Sequence, residues 1–252
     1  MSVLPELIAM LREALLDAWA LLQPVDCLGC GRPDRAVCSD CRLAIRALAP
    51  RPVRCDAPLP IPVWVAADHA GPVRAAVLAL KEHGRVDAAR LLAPILRTAI
   101  RAAAEASALG LPLELVRVPT TRRALLRRGL DPLGELLRAA GLRDSRVLRA
   151  RRGWRAGAQK ARDRRARLAA DRGRFRARGA LAGRAFLLVD DVVTTGATLA
   201  AAVRAIESAG GRVVAAAALT APGLARRSRP APAPGSRLGV SSGSARSSPR
   251  RS

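Results

Sequence analysis

Residues 186–199, Phe-Leu-Leu-Val-Asp-Asp-Val-Val-Thr-Thr-Gly-Ala-Thr-Leu, constrain this 252-residue chain more than any other stretch. Four apolar residues suit a buried strand, and they deliver Asp190 and Asp191 to its carboxyl end. That edge is where open α/β sheets bind ligands. If the strand continues, the two carboxylates point to opposite sides; once the chain turns, both can face the crevice. The run Val192, Val193, Thr194, Thr195, Gly196, Ala197 and Thr198 then combines backbone N–H groups, hydroxyls and a helix N-terminus. This is an anion site suited to a phosphate monoester. The neighbouring carboxylates can accept hydrogen bonds from vicinal ribose hydroxyls or reach Mg²⁺ through water. A lone acid pair would more simply cap the next helix, but the full arrangement favours a ligand site. The chain carries neither a P-loop nor a dinucleotide-binding glycine fingerprint after a strand.

The rest of the chain supplies elements to build a sheet around that strand. Leu4, Leu7, Ile8, Leu11, Leu15, Trp19 and Leu22 recur at helical spacing, and Pro24 stops the pattern. The Pro-rich stretch from Arg51 to Pro62 reads as a linker, and Ile61 to Ala67 as a strand. Helices are expected over 72–80 and 86–106, with Pro94 as a kink or break, and over 132–141, ending at Gly141. Strands are expected at Leu113 to Val118, closed by Pro119, at Ala185 to Val189 and at Val213 to Leu219, with a helix over 197–209. Apolar strands alternating with helices predict a mainly parallel sheet covered on both faces. Residues 149–178 are too basic and too poor in large apolar residues to contribute core.

Four of the five cysteines fall in one short stretch. Cys27-Leu-Gly-Cys30 and Cys38-Ser-Asp-Cys41 are two C-x2-C knuckles seven residues apart, the spacing of a tetrahedral four-sulfur zinc site. With all four positions filled by Cys, no place remains for a catalytic water, so the Zn²⁺ is expected to be structural. Disulfides and a redox pair are the alternatives, disfavoured by the lack of an export signal and by two knuckles lying close together. Cys55 has no partner in this pattern and reads as a bystander thiol.

Charge is unevenly placed. The chain has 44 Lys+Arg against 20 Asp+Glu, a formal charge of +24, and only Lys81 and Lys160 among the cations are lysines. Residues 143–184 carry a net +13 and the segment from Pro222 onward a net +7. Arg, Ala and Gly enrichment without any Asn is also what a GC-rich genome would give, so part of this charge is open to a purely compositional explanation. Beyond Pro222 the Ser, Pro, Gly and Arg composition cannot form a core and is expected to be disordered. The longest uncharged apolar stretch, Val213 to Ala225, is too short for a membrane span and contains Pro222 and Gly223. The N-terminus has no basic start, so the expected location is the cytoplasm.

The 186–199 stretch resembles the 5-phosphoribosyl-1-pyrophosphate (PRPP) signature of type I phosphoribosyltransferases. With cysteine knuckles first and this loop late, the chain resembles the ComF family, which includes the GntX-like proteins, from roughly Leu4 to Ala221. LALKEHGR, residues 78–85, is similar to its L-K-Y-x-G stretch, with Glu82 in place of the aromatic. VRVPTTRRALLRRGLDP, residues 116–132, resembles its V-P-L…R…R-G-F-N-Q segment; Arg128 and Gly129 match, while Leu130, Asp131 and Pro132 depart. Gln159-Lys160 followed by Arg164 or Arg165 resembles the Q-K…R that comes next, without its Asn.

The resemblance implies a type I phosphoribosyltransferase-like sheet flanked by helices. It implies an N-terminal helix over 1–23, a zinc module over 24–56, the phosphoribosyltransferase-like domain over 57–221 and the basic tail over 222–252. Asp190 and Asp191 would hold the ribose hydroxyls and serve catalysis, and Thr194 to Thr198 would hold the 5-phosphate. The turn after Val118 would face pyrophosphate, and the basic stretch around Gln159 would form a mobile hood. Breaking the bond from C1 to pyrophosphate develops charge that Mg²⁺ and Arg or Lys must neutralise. Arg122, Arg123, Arg127, Arg128 and Lys160 could supply it, and each also reads as solvated surface. Lys81 is read as surface or structural, as are His69 and His83. Two functions follow: an enzyme transferring the phosphoribosyl group to an unknown acceptor in nucleoside metabolism, or a competence-associated accessory protein of DNA uptake. The second would bind single-stranded DNA and retain a sugar-phosphate site without turnover. PRPP or another sugar phosphate is the expected ligand, and a homo-oligomer is compatible with either function.

Overall fold

The computed structural model describes residues 26–33, 35–107, 112–151 and 173–224. The expected N-terminal helix over 4–22, the segment containing Gln159 and Lys160, and the tail from residue 225 lie outside the described residues, as does the Arg122 side chain.

The fold is mixed α/β. Five strands, β1 (Arg51–Val53), β2 (Val63–Ala67), β3 (Leu113–Arg117), β6 (Ala185–Val192) and β7 (Arg212–Thr220), form one sheet in the order β1-β2-β7-β6-β3. Every pairing is parallel except that of β1 with β2. Two short strands, β4 (Leu148–Ala150) and β5 (Phe175–Ala177), make a separate antiparallel ribbon. The central strands are apolar almost throughout because both faces are covered. In β7 every residue after Arg212 is buried, and its four successive alanines let helices approach closely.

Alternation along β6 divides the core. Leu187 and Val189 face one cluster with Leu92, Leu96 and Ala99 of α3 (Asp87–Ala106); Phe186 and Leu188 face another with Leu199, Val203 and Ile206 of α6 (Ala197–Glu207). The helix α2 (Gly71–Glu82) packs on α3, and α5 (Pro132–Ala139) closes the first face. Gly141 follows α5 at φ 68°, the left-handed conformation expected of a residue that ends a helix.

Four expectations need correction. Pro94 neither ends nor divides α3: it sits on the exposed side, where the carbonyl left without its N–H partner can face solvent. The Pro-rich stretch is no free linker, since β1 pairs with β2 and Val53 and Ala57 are buried. The 149–178 stretch contributes core after all, because Phe175 of β5 is buried with Ala150 and Ala177 packed against its cluster, while Arg149 and Arg176 stay outside. Finally, β6 runs on through both aspartates to Val192, so they stay on opposite faces.

The cysteine stretch leads into α1 (Ser39–Arg46). Its Leu28 and Ile45 belong to the same core cluster as α2 and α3. Gly29 sits where a Cβ would come 2.6 Å from Cys41 Sγ and 2.9 Å from Pro72 Cβ, so only glycine fits between the knuckle and the start of α2.

Candidate functional site

The loop from β6 to α6 is shaped by its backbone. Val193 is buried and its N–H donates to the Thr220 carbonyl of β7 at 2.9 Å. Thr194 and Thr195 are exposed, and Gly196 turns the chain at φ 80° as the N-cap of α6. No side chain of the cap residue bonds the first helical turn. Thr195 Oγ1 reaches it, accepting from Ala197 N–H at 3.4 Å. The N-terminal N–H groups of α6 thus open toward the two threonines and Thr198, the arrangement that receives an anion.

Segments remote in sequence hold this loop. Ala57 N–H donates to the Thr195 carbonyl at 2.8 Å. A Cβ at Gly196 would lie 2.6 Å from Cys55 Cβ and 3.1 Å from Leu59 Cδ1, so glycine is required both by its φ and by the chain behind it. Cys55 is packing: burial, then the charge of Asp56, pushes its thiol up to about 11. Arg174, beside the ribbon, donates to Thr198 Oγ1 at 2.8 Å and lies over the Phe175 ring, 5.2 Å from its centroid.

The two aspartates are unequal. Asp190 is buried on the α6 face, and its Oδ1 accepts the Asp191 N–H at 2.8 Å. Burial, reinforced by the Asp191 charge and opposed by that hydrogen bond, Lys81 and Arg174, pushes its pKa up to about 8. Asp191 is partly exposed on the opposite face, and its Oδ2 lies 2.9 Å from Lys81 Nζ. Lys81 is therefore no free surface lysine. Its local spacing did not place it here; the hints were its place in the stretch similar to L-K-Y-x-G and the rarity of lysine in this chain.

The turn after Val118 lies beside this loop, since Val118 N–H donates to the Val189 carbonyl at 2.8 Å. Thr120 Oγ1 donates to Asp131 Oδ1 at 2.9 Å, and Arg117 bridges Asp131 and Asp144. Asp131 is thus committed to bracing the turn. A cleft of about 310 Å³ opens alongside, lined in part by Thr120, Asp144, Arg146, Arg149 and Arg178. Arg128 ends α4 (Arg122–Arg128) and reaches Glu82 Oε1 at 3.5 Å. His69 Nδ1 is 3.0 Å from Thr220 Oγ1, and burial, then Arg74 and Lys81, depress its pKa.

The four cysteines converge as their spacing predicts. The sulfurs of Cys27, Cys30, Cys38 and Cys41 all lie within 4.8 Å of one another, with Cys30 and Cys38 at 3.7 Å. Tetrahedral Zn–S bonds of about 2.3 Å put sulfurs about 3.8 Å apart, so the cluster fits structural zinc. Cys27 Sγ receives the Cys38 and Gly29 N–H groups at 3.3 and 3.4 Å. Burial raises the Cys27 pKa, but these N–H groups and that of Cys30 outweigh it and bring the thiol down to about 6, while burial and neighbouring thiols raise Cys41.

Residues 124–233 match the family model described as the phosphoribosyl transferase domain. The matched span starts within α4 and takes in β6, the Asp190–Thr198 loop, α6 and β7. This part of the mixed α/β fold is thus similar to a phosphoribosyl transferase domain. No curated protein matches the chain. Among the described residues no helix is long and apolar enough to cross a membrane.

Proposed function

We propose that the chain is a cytoplasmic, ComF-type phosphoribosyltransferase that binds PRPP with Mg²⁺ and passes the phosphoribosyl group to an acceptor nucleophile. The observation that carries this reading is the glycine-capped N-terminus of α6 lying directly after an acid pair at the carboxyl edge of a parallel sheet. Thr194 to Thr198 and the first N–H groups of α6 receive the 5-phosphate. Asp191 accepts from a ribose hydroxyl, and Asp190 supports it from the buried side. In transfer, the bond from C1 to pyrophosphate oxygen breaks with its electron pair leaving on pyrophosphate. The acceptor's lone pair forms the new bond to C1, and the acceptor loses a proton. The acid pair offers the hard oxygen donors that Mg²⁺ prefers, and bound Mg²⁺ would neutralise charge growing on the pyrophosphate. The turn after Val118, with Arg122, Arg128 and Lys160, is the proposed pyrophosphate side. Residues 24–56 form the zinc module and 57–221 the catalytic domain.

Calorimetry with PRPP and with ribose 5-phosphate, Mg²⁺ present, tests the site. Asp191→Ala removes charge-assisted hydrogen bonds and is expected to weaken PRPP about ten- to a hundredfold. Thr195→Val is expected to weaken both ligands, since both carry the 5-phosphate. A folded wild-type protein that binds neither ligand overturns the reading.

One observation favours a second role in binding nucleic acid. Arg149 and Arg176 are directly opposed on the β4–β5 ribbon, and with Arg151 and Arg178 they are exposed and make no ion pair among the described residues. Such a surface suits a phosphate backbone. Salt-dependent binding of single-stranded DNA that survives Asp190→Ala would support an accessory protein of DNA uptake; PRPP consumption would support the enzyme.

A further inference from the structure

The end of α2 lies between the two halves of the proposed site. Lys81 stands in the last turn of α2, with Nζ 2.9 Å from Asp191 Oδ2. Its neighbour Glu82 reaches Arg128 at the end of α4, the helix that follows the Val118 turn, at 3.5 Å. Two residues on, Gly84 leaves 3.3 Å between a would-be Cβ and Leu130 Cδ2. One short stretch of chain thus touches the acid pair on one side and the helix beyond the pyrophosphate-side turn on the other.

We propose that Lys81 is a ligand-binding residue of this site: its ammonium balances Asp191 in the free protein and turns to the diphosphate of PRPP when the ribose hydroxyls engage Asp191. The inference rests on the PRPP reading of the loop and adds a contact that the loop itself cannot supply. Asp191 cannot leave an attached ammonium without that ammonium finding a new anion, and the diphosphate is the anion PRPP brings. Lysine suits such an exchange. Its three donors sit on a rotatable four-carbon stem without a fixed plane, so it can release a carboxylate oxygen and reach a phosphate oxygen by turning. An arginine forked onto the carboxylate would have to give up two bonds at once. The Lys81 and Asp191 side chains keep only 17% and 19% of their surface exposed, so a released ammonium is poorly hydrated there and needs the anion that a ligand brings.

The test titrates wild type, Lys81→Gln and Lys81→Arg with PRPP and with ribose 5-phosphate, Mg²⁺ present, after thermal melts have established folding. Lys81→Gln is expected to weaken PRPP about tenfold or more, while ribose 5-phosphate changes less than about threefold. Lys81→Arg is expected to fall between wild type and Lys81→Gln for PRPP, and it supplies the selectivity ratio if Lys81→Gln does not fold. An equal loss for both ligands, or no loss for either, overturns the proposal and leaves Lys81 as a structural partner of Asp191. Those outcomes leave PRPP binding by the wild type intact, whereas a folded wild type that binds neither ligand defeats the site and the Lys81 contact together.

Discussion

The cysteine module and the loop after β6 are both short, both turn on a glycine that no larger residue could replace, and both present a charged cluster. They differ in where their parts come from. The module draws every sulfur from residues 27–41, and its supporting N–H groups come from the same stretch. The loop is assembled from afar: Ala57 and Cys55 brace it from behind, Arg174 reaches Thr198, and Lys81 holds Asp191. A cluster whose members are close in sequence can be built by a local turn. A ligand site that must separate carboxylates from phosphate needs walls from several elements.

Metal removal gives the largest expected effect and tests how self-contained the module is. Its ligands are local, but Leu28 and Ile45 are buried in the core cluster that holds α2 and α3. Losing the metal should therefore loosen more than the knuckles. Cys41→Ser, or chelation of the reduced protein, is expected to cost several kcal/mol and lower the melting temperature by about 10 °C or more. Metal analysis should find one Zn²⁺ per chain. An unchanged melt after chelation, with no metal in the untreated protein, would break the comparison at this end.

The acid pair gives a smaller effect with a defined sign. An unfolded aspartate titrates near 4, whereas folding raises Asp190 to about 8. Between those values the folded chain keeps a proton that the unfolded chain has lost, so stability falls as pH rises through the window. Asp190→Asn keeps the shape and removes the titration. It is expected to melt above wild type at pH 8 and to match it near pH 4. A variant that melts below wild type at pH 8 would mean that the ionised carboxylate is stabilised by its surroundings and that the two aspartates are equivalent after all.

What could be read from residues alone follows the same division. The four-sulfur cluster, β6, β7 and α6 were legible because apolar runs, cysteine spacing and a glycine turn are local signals. β1 was not, because three residues with Pro52 at their centre carry no periodicity and gain their place only by pairing with β2. The continuation of β6 through Asp190 was hidden for a related reason. Two charged residues look like a strand end, yet Asp190 pairs with Ala218 and Val192 with Thr220 of β7, which keeps the strand going to Val192. Lys81 and Asp191 each lay in a stretch the sequence singled out, but their contact was not legible, since residues so far apart in the chain leave no mark in each other's sequence. Only the fold brings them together.

The ribbon offers the smallest effect and the one most readily confused with composition. Arg149 and Arg176 are register partners on β4 and β5, so two guanidinium groups face each other across a narrow antiparallel pair. Like charges directly opposed destabilise such a pair by about 0.2–1 kcal/mol, and salt screens the repulsion. Arg149→Ser is therefore expected to leave stability unchanged or raise it by less than about 1 kcal/mol in low salt, with the gain vanishing near 1 M salt. In the same variant, any binding to single-stranded DNA should lose about one phosphate contact, lowering the slope of log affinity against log salt by about 0.7. A flatter slope together with a more stable protein would mean that the arginines are held in opposition for the sake of a polyanion. A more stable protein with an unchanged slope would mean that the ribbon carries only the arginine bias of the whole chain.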